Sequence, residues 1–525
     1  MIEYPIDFVF PFVDPTRPQW VEKYRAYCRQ TGSFERLQQT NSPRYRDWGY
    51  LKFIFRSIEK NLPFIRNIYL LVQDTTQVPT WVNTDTVKIV THEEFMPEHY
   101  LPTYNSSVIE MCLDTIPDLA EHFIYGNDDM YVLNSLTADD FFTEDGKVKI
   151  SFKQVSNTPN NMFQEMCNQD YNTINMYFGT GEWTNGWMVP KHGLTPLIKS
   201  HITYIKQQLY KQIECSVSGF RTAKNFNQYL WTDYELITNN TVLSPRTLSY
   251  YDMSHKPEQV AELINNCTTH ELCLNDVEST LVKEWEKDTT VYQAFLKHFP
   301  NKSKYELPYR ISICICGYNV EQWIAKCIQS IPNRDDIEII FVNDCSTDQT
   351  LPIVQKELQN FQHSTIVSNK TNFGIGYSRN VALNNAHGEY IFYLDGDDYL
   401  YTDVFNIVVD KYLKSQDIVN LLCIDNTGKI RYPTVFRNIF VAKNYIGDIR
   451  HNQNIRWAED ADFKKRVLQV HPYRIEQSLE KIIYHYNYPN VGSLMWEHNR
   501  EKGNPAYQSD LANWNKYHKN KPTKI

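Results

Sequence analysis

Ile311-Ser312-Ile313-Cys314-Ile315-Cys316-Gly317-Tyr318-Asn319 opens the run of segments whose alternation decides the fold. Its apolar stretch reads as a buried strand, in which Cys314 and Cys316 act as small hydrophobes. Helix-like segments at 321–330, 349–359 and 377–386 separate it from further apolar runs at 337–342, 365–368 and 390–394. Strands alternating with helices in units of about thirty residues predict βαβ crossovers and a mainly parallel sheet.

Three acidic groups fall at the ends of these elements. Asn343-Asp344 closes one strand, Asp395-Gly396-Asp397-Asp398 closes another, and Glu459-Asp460 opens a helix. Open parallel sheets place their ligand crevice at such strand ends. Carboxylates gathered around a diphosphate need a cation between them, and Asp-x-Asp after an apolar strand supplies oxygen ligands for Mg²⁺ or Mn²⁺. The plainer alternatives are turn chemistry for an isolated Asp-x-Asp and a dipole-favoured acidic pair at a helix start.

Taken with Phe341-Val342-Asn343-Asp344-Cys345-Ser346-Thr347-Asp348 and Asn372-Phe373-Gly374-Ile375-Gly376-Tyr377-Ser378-Arg379-Asn380, the region from Tyr309 to Met495 resembles glycosyltransferase family 2 of the GT-A fold. The resemblance implies a nucleotide-sugar donor. Asp344 would hold its uracil or ribose side, Asp395 and Asp397 would bracket metal and diphosphate, and Arg379 would steady the donor. Asp460 would be the base that deprotonates the acceptor hydroxyl, and Asn319 joins the donor-binding residues. His485 is a further metal or phosphate ligand, or a satisfied structural histidine.

The first half carries a different collection. Ile6-Asp7-Phe8-Val9-Phe10-Pro11-Phe12-Val13-Asp14 places acids at both ends of an apolar strand, and Phe123-Ile124-Tyr125-Gly126-Asn127-Asp128-Asp129-Met130 ends another in an amide and two acids. Segments at 51–60, 204–212 and 278–299 read as helices and 68–72 as a strand, so this half is also α/β. Arg44, Arg46, Arg56, His192 and Arg221 supply the complement, because guanidinium groups grip phosphate oxygens bidentately and a histidine moves protons near neutral pH. Each basic residue alone also fits a solvated surface, and each acid motif a turn.

In order, these segments resemble the Stealth family of hexose-1-phosphate transferases over about Ile6 to Val277. The matching regions are Ile6 to Asp14, Arg44 to Asp129 through Asn105-Ser106-Ser107-Val108-Ile109-Glu110, Met188 to Asn227, and Cys273-Leu274-Asn275-Asp276. Pro15 departs from the family pattern beside Asp14. The resemblance implies attack by an acceptor hydroxyl on the sugar-bearing phosphorus of a UDP-hexose, with UMP leaving. Asp14, Asp128 and Asp129 would act on or near metal and donor, with Asp128 a metal ligand. Arg44, Arg56 and Arg221 would hold phosphate oxygens, Asn105 and Asn127 substrate, and His192 would be the general base.

The expected fold class is α/β in two domains. A Stealth-type phosphotransferase domain covers 1–300, a proline-bracketed linker 301–308, and a GT-A domain with a mainly parallel sheet 309–525. A net charge of -9 excludes nucleic acid as the main partner. Eleven cysteines without a Cys-x-x-Cys pair indicate neither disulfides nor zinc. The first residues lack a signal-peptide pattern, and no apolar run approaches the roughly 18 residues of a span. The expectation is a cytoplasmic polymerase of capsular type, with Mg²⁺ or Mn²⁺ as cofactor and nucleotide sugars and a growing glycan or lipid-linked acceptor as partners, docked peripherally on an inner-membrane export complex. Its rivals are a single-activity transferase whose other half binds acceptor, and a glycan-binding scaffold that the acid clusters disfavour.

Overall fold

The computed structural model describes residues 2–155, 158–179, 187–266, 268–285, 288–413, 416–432, 436–454, 459–470 and 474–487. They form two compact units, one of 1–78 and 82–306, the other of 79–81 and 307–525. The segment expected to link them is not a free linker. Ser303, Tyr305 and Glu306 are buried, and 301–306 belongs to the first unit.

The first unit is built on strands β1 (Ile6–Pro11), β2 (Ile65–Val72), β3 (Val87–Thr91), β4 (His122–Tyr125), β5 (Met130–Val132), β6 (Thr195–Ile198), β7 (Leu248–Asp252) and β8 (Glu271–Asn275). Its main sheet has the order β3-β2-β1-β4-β6. The first four strands are parallel and β6 is antiparallel to β4. β1 lies at the centre, and Ile6, Phe8, Val9 and Phe10 are all buried, as expected of a strand covered on both faces. Asp7 interrupts this run at the end opposite the crevice. Its carboxylate accepts from Arg66 Nε at 2.9 Å and from the Ala120 backbone at 2.8 Å, so it fastens strand starts and is not part of a site. A second sheet orders β7-β8-β5. The helix expected at 204–212 is two helices, Lys199–Gln208 and Tyr210–Ser216. That expected at 278–299 is Val282–Trp285 and Thr290–His298.

The second unit contains β9 (Tyr309–Gly317), β10 (Ile337–Asn343), β11 (Ser364–Ser368), β12 (Gly388–Asp395), β13 (Tyr399–Leu400), β14 (Ile418–Asp425), β15 (Ile439–Ala442) and β16 (Glu476–Tyr486). They run in the order β11-β10-β9-β12-β15-β14-β16-β13, with Ile430–Arg431 paired to β14. β11, β10, β9 and β12 are parallel, and β15 turns the sheet antiparallel. Register aligns Gly317 with Asn343 and Cys316 with Asp395, bringing the ends of three neighbouring strands to one level. Among the described residues no helix is long and apolar enough to cross a membrane.

Candidate active sites

In the first unit a cavity of about 490 Å³ opens across the carboxyl ends of the parallel strands. Asn127, Asp128 and Asp129 line it from the end of β4, His192 from just before β6, Arg44 to Trp48 from the loop before the helix Leu51–Asn61, and Arg221 from the loop before Tyr229–Ile237.

Asp129 and His192 on its wall and the buried Cys273 behind them form one cluster, with their ligand-type atoms within 4.8 Å of one another. Cys273 Sγ donates to Asp129 Oδ2 at 3.7 Å, while Asp129 Oδ1 is buried without a partner. His192 Nδ1 shares a hydrogen bond of 2.7 Å with Tyr229 Oη. Burial, and then the Arg221 charge, lower the imidazole's pKa, with Asp129 acting against them; burial raises the Asp129 carboxyl and the Cys273 thiol. Burial, helped by the nearby charges of Asp129 and Asp47, pushes Asp128 up to about 8. Asp128 and Asp47 keep solvent-accessible surface because they face the cavity although protein surrounds them, so water there tempers the shifts.

Arg44 and Arg221 make no ion pair among the described residues. Arg221 Nη2 donates to Ser106 Oγ, its Nε is buried without a partner, and Arg44 Nη2 lies 4.0 Å from Met162 Sδ. Burial and the Arg221 charge lower the Arg44 pKa. Two guanidiniums without a salt bridge beside one cavity are suited to an anion, although the charge of Arg221 also acts on the buried Glu110 carboxyl.

Three expected residues have other duties. Arg56 is buried, donates through Nε and Nη2 to Glu306 at 2.7 and 2.8 Å and through Nη1 to the Phe299 carbonyl, and is not among the residues lining the cavity. Asp14 is not among the residues lining the cavity: its carboxylate takes bonds from Thr16 and from Arg17 Nε at 2.9 Å ahead of the helix Pro18–Gln30, although its charge reaches Asp47 on the cavity wall. Asn105 reaches the wall but caps the helix Ser106–Glu110, accepting from the Ser107 N–H and donating to Ser218 O and Asn225 Oδ1. Sequence reading missed Asp47, Cys273, Tyr229 and Asp276. Asp276, held by Arg46 at 3.2 Å and Trp48 Nε1 at 2.9 Å, and Cys273 stood in the last matched stretch, which was the signal available for them.

In the second unit, acids and arginines interlock at the strand ends. Arg379 is buried on the helix Ile375–Asn384, pairs with Asp395 at 2.8 Å and with Glu459, and lies 3.9 Å from Asp460. Its expected role of steadying the donor directly gives way to one of fixing acids. Arg437, which nothing in the sequence singled out, stands 3.7 Å from the other carboxylate oxygen of Asp395. The two guanidiniums outweigh desolvation and hold Asp395 below the usual carboxylate range. Asp397 is half-buried beside it, and burial together with the Asp397 and Asp395 charges raises Asp398.

Asp344 is 4% exposed and accepts from Asn369 Nδ2 and the Phe373 and Gly374 N–H groups, so it fastens the 369–374 loop and does not face open space. Gly374 has φ +88°, in the left-handed region that glycine adopts without strain. Asn319 holds the neighbouring loop by accepting from Thr347 N at 2.8 Å. His485 is not placed as a ligand. Tyr401 Oη and Asn426 Oδ1 engage its two ring nitrogens at 3.1 and 2.9 Å, it stacks on Tyr399, and burial lowers it to about 4. Asp460 stays at the start of the helix Glu459–Val470, its Oδ1 accepting from Ala461 N at 2.8 Å.

Residues 44–150 match the family described as Stealth protein CR2, conserved region 2, and residues 312–466 match Glycosyl transferase family 2. The exopolysaccharide phosphotransferase cps2G of Lactiplantibacillus plantarum is 27% identical over 58% of this chain and 96% of that protein. The capsular polysaccharide phosphotransferase fcs1 of Haemophilus influenzae is 30% identical over 53% of this chain and 79% of that protein. The solved structure of S. aureus TarS with UDP-GlcNAc is 24% identical, with a TM-score of 0.32, over 35% of this chain and 60% of that one. Fold, sites and relatives define a two-unit α/β transferase. The chain belongs to the Stealth family of capsular polysaccharide phosphotransferases and carries a family 2 glycosyl transferase domain in its second half.

Proposed function

We propose that this chain polymerises a phosphate-containing capsular or cell-surface glycan by two transfers, sugar-1-phosphate in residues 1–306 and sugar in 307–525. The observation that carries the reading is the first cavity, where a histidine with lowered pKa and acids facing the open space share one crevice with two arginines that make no ion pair among the described residues. With Nδ1–H donating to Tyr229 Oη, His192 Nε2 takes the proton of an acceptor hydroxyl. That oxygen bonds to the sugar-bearing phosphorus of a UDP-hexose, and the bond from this phosphorus to the UMP oxygen breaks. The product is a phosphodiester, UMP leaves with the electron pair, and the proton stays on His192. Arg44 and Arg221 neutralise the phosphoryl oxygens, the main catalytic need of such a transfer.

Asp128 and Asp129 offer hard oxygen donors, one of them buried and unpartnered, which suits Mg²⁺ or Mn²⁺. When bound, the ion would draw off phosphate charge. Cys273 is held as a neutral thiol and serves as a hydrogen-bond donor to Asp129. In the second unit Asp395 and Asp397 would hold the corresponding ion, with Arg379 and Arg437 orienting Asp395. Asp460 would accept the proton from the second acceptor. The partners implied are UDP-sugars and a growing glycan or lipid-linked acceptor, with the chain cytoplasmic and peripheral to an export complex.

The test is a leaving-group assay with Mg²⁺, an oligosaccharide acceptor and a panel of UDP-sugars, separating UMP from UDP by anion exchange. UMP lost in Asp128→Ala and UDP lost in Asp397→Ala is the expected pattern. UMP alone from the unaltered chain would reduce the second half to an acceptor-binding module, and UDP alone would do the same to the first.

A further inference from the structure

Among the described residues of the first unit, Phe34, Phe163, Tyr177, Tyr204, Tyr210 and Tyr250 are the largely exposed aromatics. Two of them flank His192. The Phe163 and Tyr250 rings lie with their centroids 6.3 and 6.1 Å from that of the imidazole and their planes inclined to it by 85° and 70°. They are 45 and 47% exposed, whereas Tyr229, the ring that holds His192 Nδ1, is buried.

The chain brings the two rings there from separate elements. In the helix Met162–Phe178 the buried residues Met166, Cys167, Asp170 and Ile174 form a stripe at helical spacing, and Met162 and Phe163 continue it one turn back. The stripe packs on the helix Tyr229–Ile237, but its first turn reaches the cavity, where Phe163 is part of the lining and Met162 Sδ lies 4.0 Å from Arg44 Nη2. Tyr250 lies on the edge strand β7, in register with Cys273 of β8. Register partners point to the same face of a sheet, so this ring shares the face on which Cys273 meets Asp129. Asn275 Nδ2, from the cavity wall, donates to Tyr250 Oη at 2.9 Å and fixes the ring.

Uncovered aromatic surface gains free energy when a ligand with an apolar face covers it. A pyranose has such a face, since its ring C–H groups carry partial positive charge towards the negative face of an aromatic ring while its hydroxyls stay free to hydrogen-bond. A phosphate has none. The geometry of the reaction selects which sugar this is. In a phosphoryl displacement the attacking and leaving oxygens lie roughly in line on opposite sides of phosphorus. His192 must meet the attacking oxygen, so the rings around the imidazole meet the molecule that carries it, and the leaving UMP lies on the far side of the phosphate.

We propose that Phe163 and Tyr250 form the stacking subsite of the acceptor, taking a neutral pyranose unit of the growing glycan whose hydroxyl faces His192. This rests on the function proposed above, and a binding measurement separates the two. Ligand-observed NMR on the full chain would titrate methyl β-glucopyranoside, methyl β-galactopyranoside and the methyl β-glycoside of N-acetylglucosamine into the unaltered protein, Phe163→Ala, Tyr250→Ala, Phe163→Trp and Tyr250→Phe, with thermal melts verifying the fold of each. UMP release in the leaving-group assay would give KM for the oligosaccharide acceptor and for the UDP-sugar.

The expected result is that at least one pyranoside binds the unaltered chain and that each alanine variant weakens it about three- to tenfold, the effect of one aromatic stacking contact. KM for the acceptor should rise by the same factor while KM for the UDP-sugar holds. Phe163→Trp and Tyr250→Phe should keep both values, because the ring and not the hydroxyl makes the contact. Failure of every pyranoside to bind, or unchanged affinity and acceptor KM in the folded alanine variants, overturns the assignment. A rise in KM for the UDP-sugar in place of the acceptor also overturns it, by giving the rings to the donor hexose. Pyranoside binding weakened in the alanine variants without UMP release from any UDP-sugar would instead sink the transfer reading and leave the subsite standing.

Discussion

His192 and His92 face the same cavity with opposite duties, and burial acts on both. For His192 burial lowers the pKa while Asp129 counters it, leaving an imidazole able to take a proton at neutral pH. His192→Gln is expected to slow UMP release about 10²- to 10⁴-fold with UDP release unchanged, read in the leaving-group assay. An unaltered UMP rate would remove the base from His192. For His92 the effect reaches stability. Its pKa falls from 6.5 to about 4, so between those values the unfolded chain binds a proton that the folded one refuses. Stability is then full above pH 6.5 and declines as pH falls towards 4, by on the order of 3 kcal/mol. Denaturant melts of the unaltered chain and His92→Leu at pH 7 and pH 5 should show a smaller decline in the variant, and equal declines would mean that the ring is not sequestered from protons.

At the scale of elements, ion pairs that tie segments far apart in sequence decide what is structural. Arg56 anchors the helix Leu51–Asn61 to residue 306, 250 positions away, with 8 and 5% side-chain exposure for the two partners. Removing one partner of such a pair leaves a buried charge, so Arg56→Ala should cost about 3–5 kcal/mol, while Arg56→Leu with Glu306→Leu recovers much of it. Chemical denaturation checks both, and a loss under about 1 kcal/mol would show the pair to be solvated. This residue also marks where sequence reading ends. Strands β1, β10 and β12 were legible because continuous apolar runs ended in acids, β9 because its apolar run closed on Gly317-Tyr318-Asn319, and the acid-ended pattern also singled out Asp128, Asp129, Asp395 and Asp397. Charge type was legible for Arg56, Asp14, Arg379 and His485, but partner identity was not. Glu306, Arg17, Glu459 and Asn426 claim those groups through folding that no local spacing encodes.

At the scale of the whole molecule, each unit has its own core and its own candidate site. Buried residues from Ile311 to Tyr484 form one cluster, while Val9, Phe123, Leu230 and their neighbours form another. A core that buries its own apolar surface can unfold on its own, and a ligand bound only by the folded form stabilises the unit that holds it. Scanning calorimetry should therefore resolve two transitions. UMP at about a hundred times its dissociation constant should raise the first unit's transition by about 2.7 kcal/mol in equivalent stability, and UDP with Mn²⁺ should raise the other. Arg56→Ala gives the assignment, because it should lower the UMP-sensitive transition and leave the UDP-sensitive one in place. If both nucleotides move one common transition, the units fold as a single cooperative body, and a variant in either half would then be expected to impair both transfers.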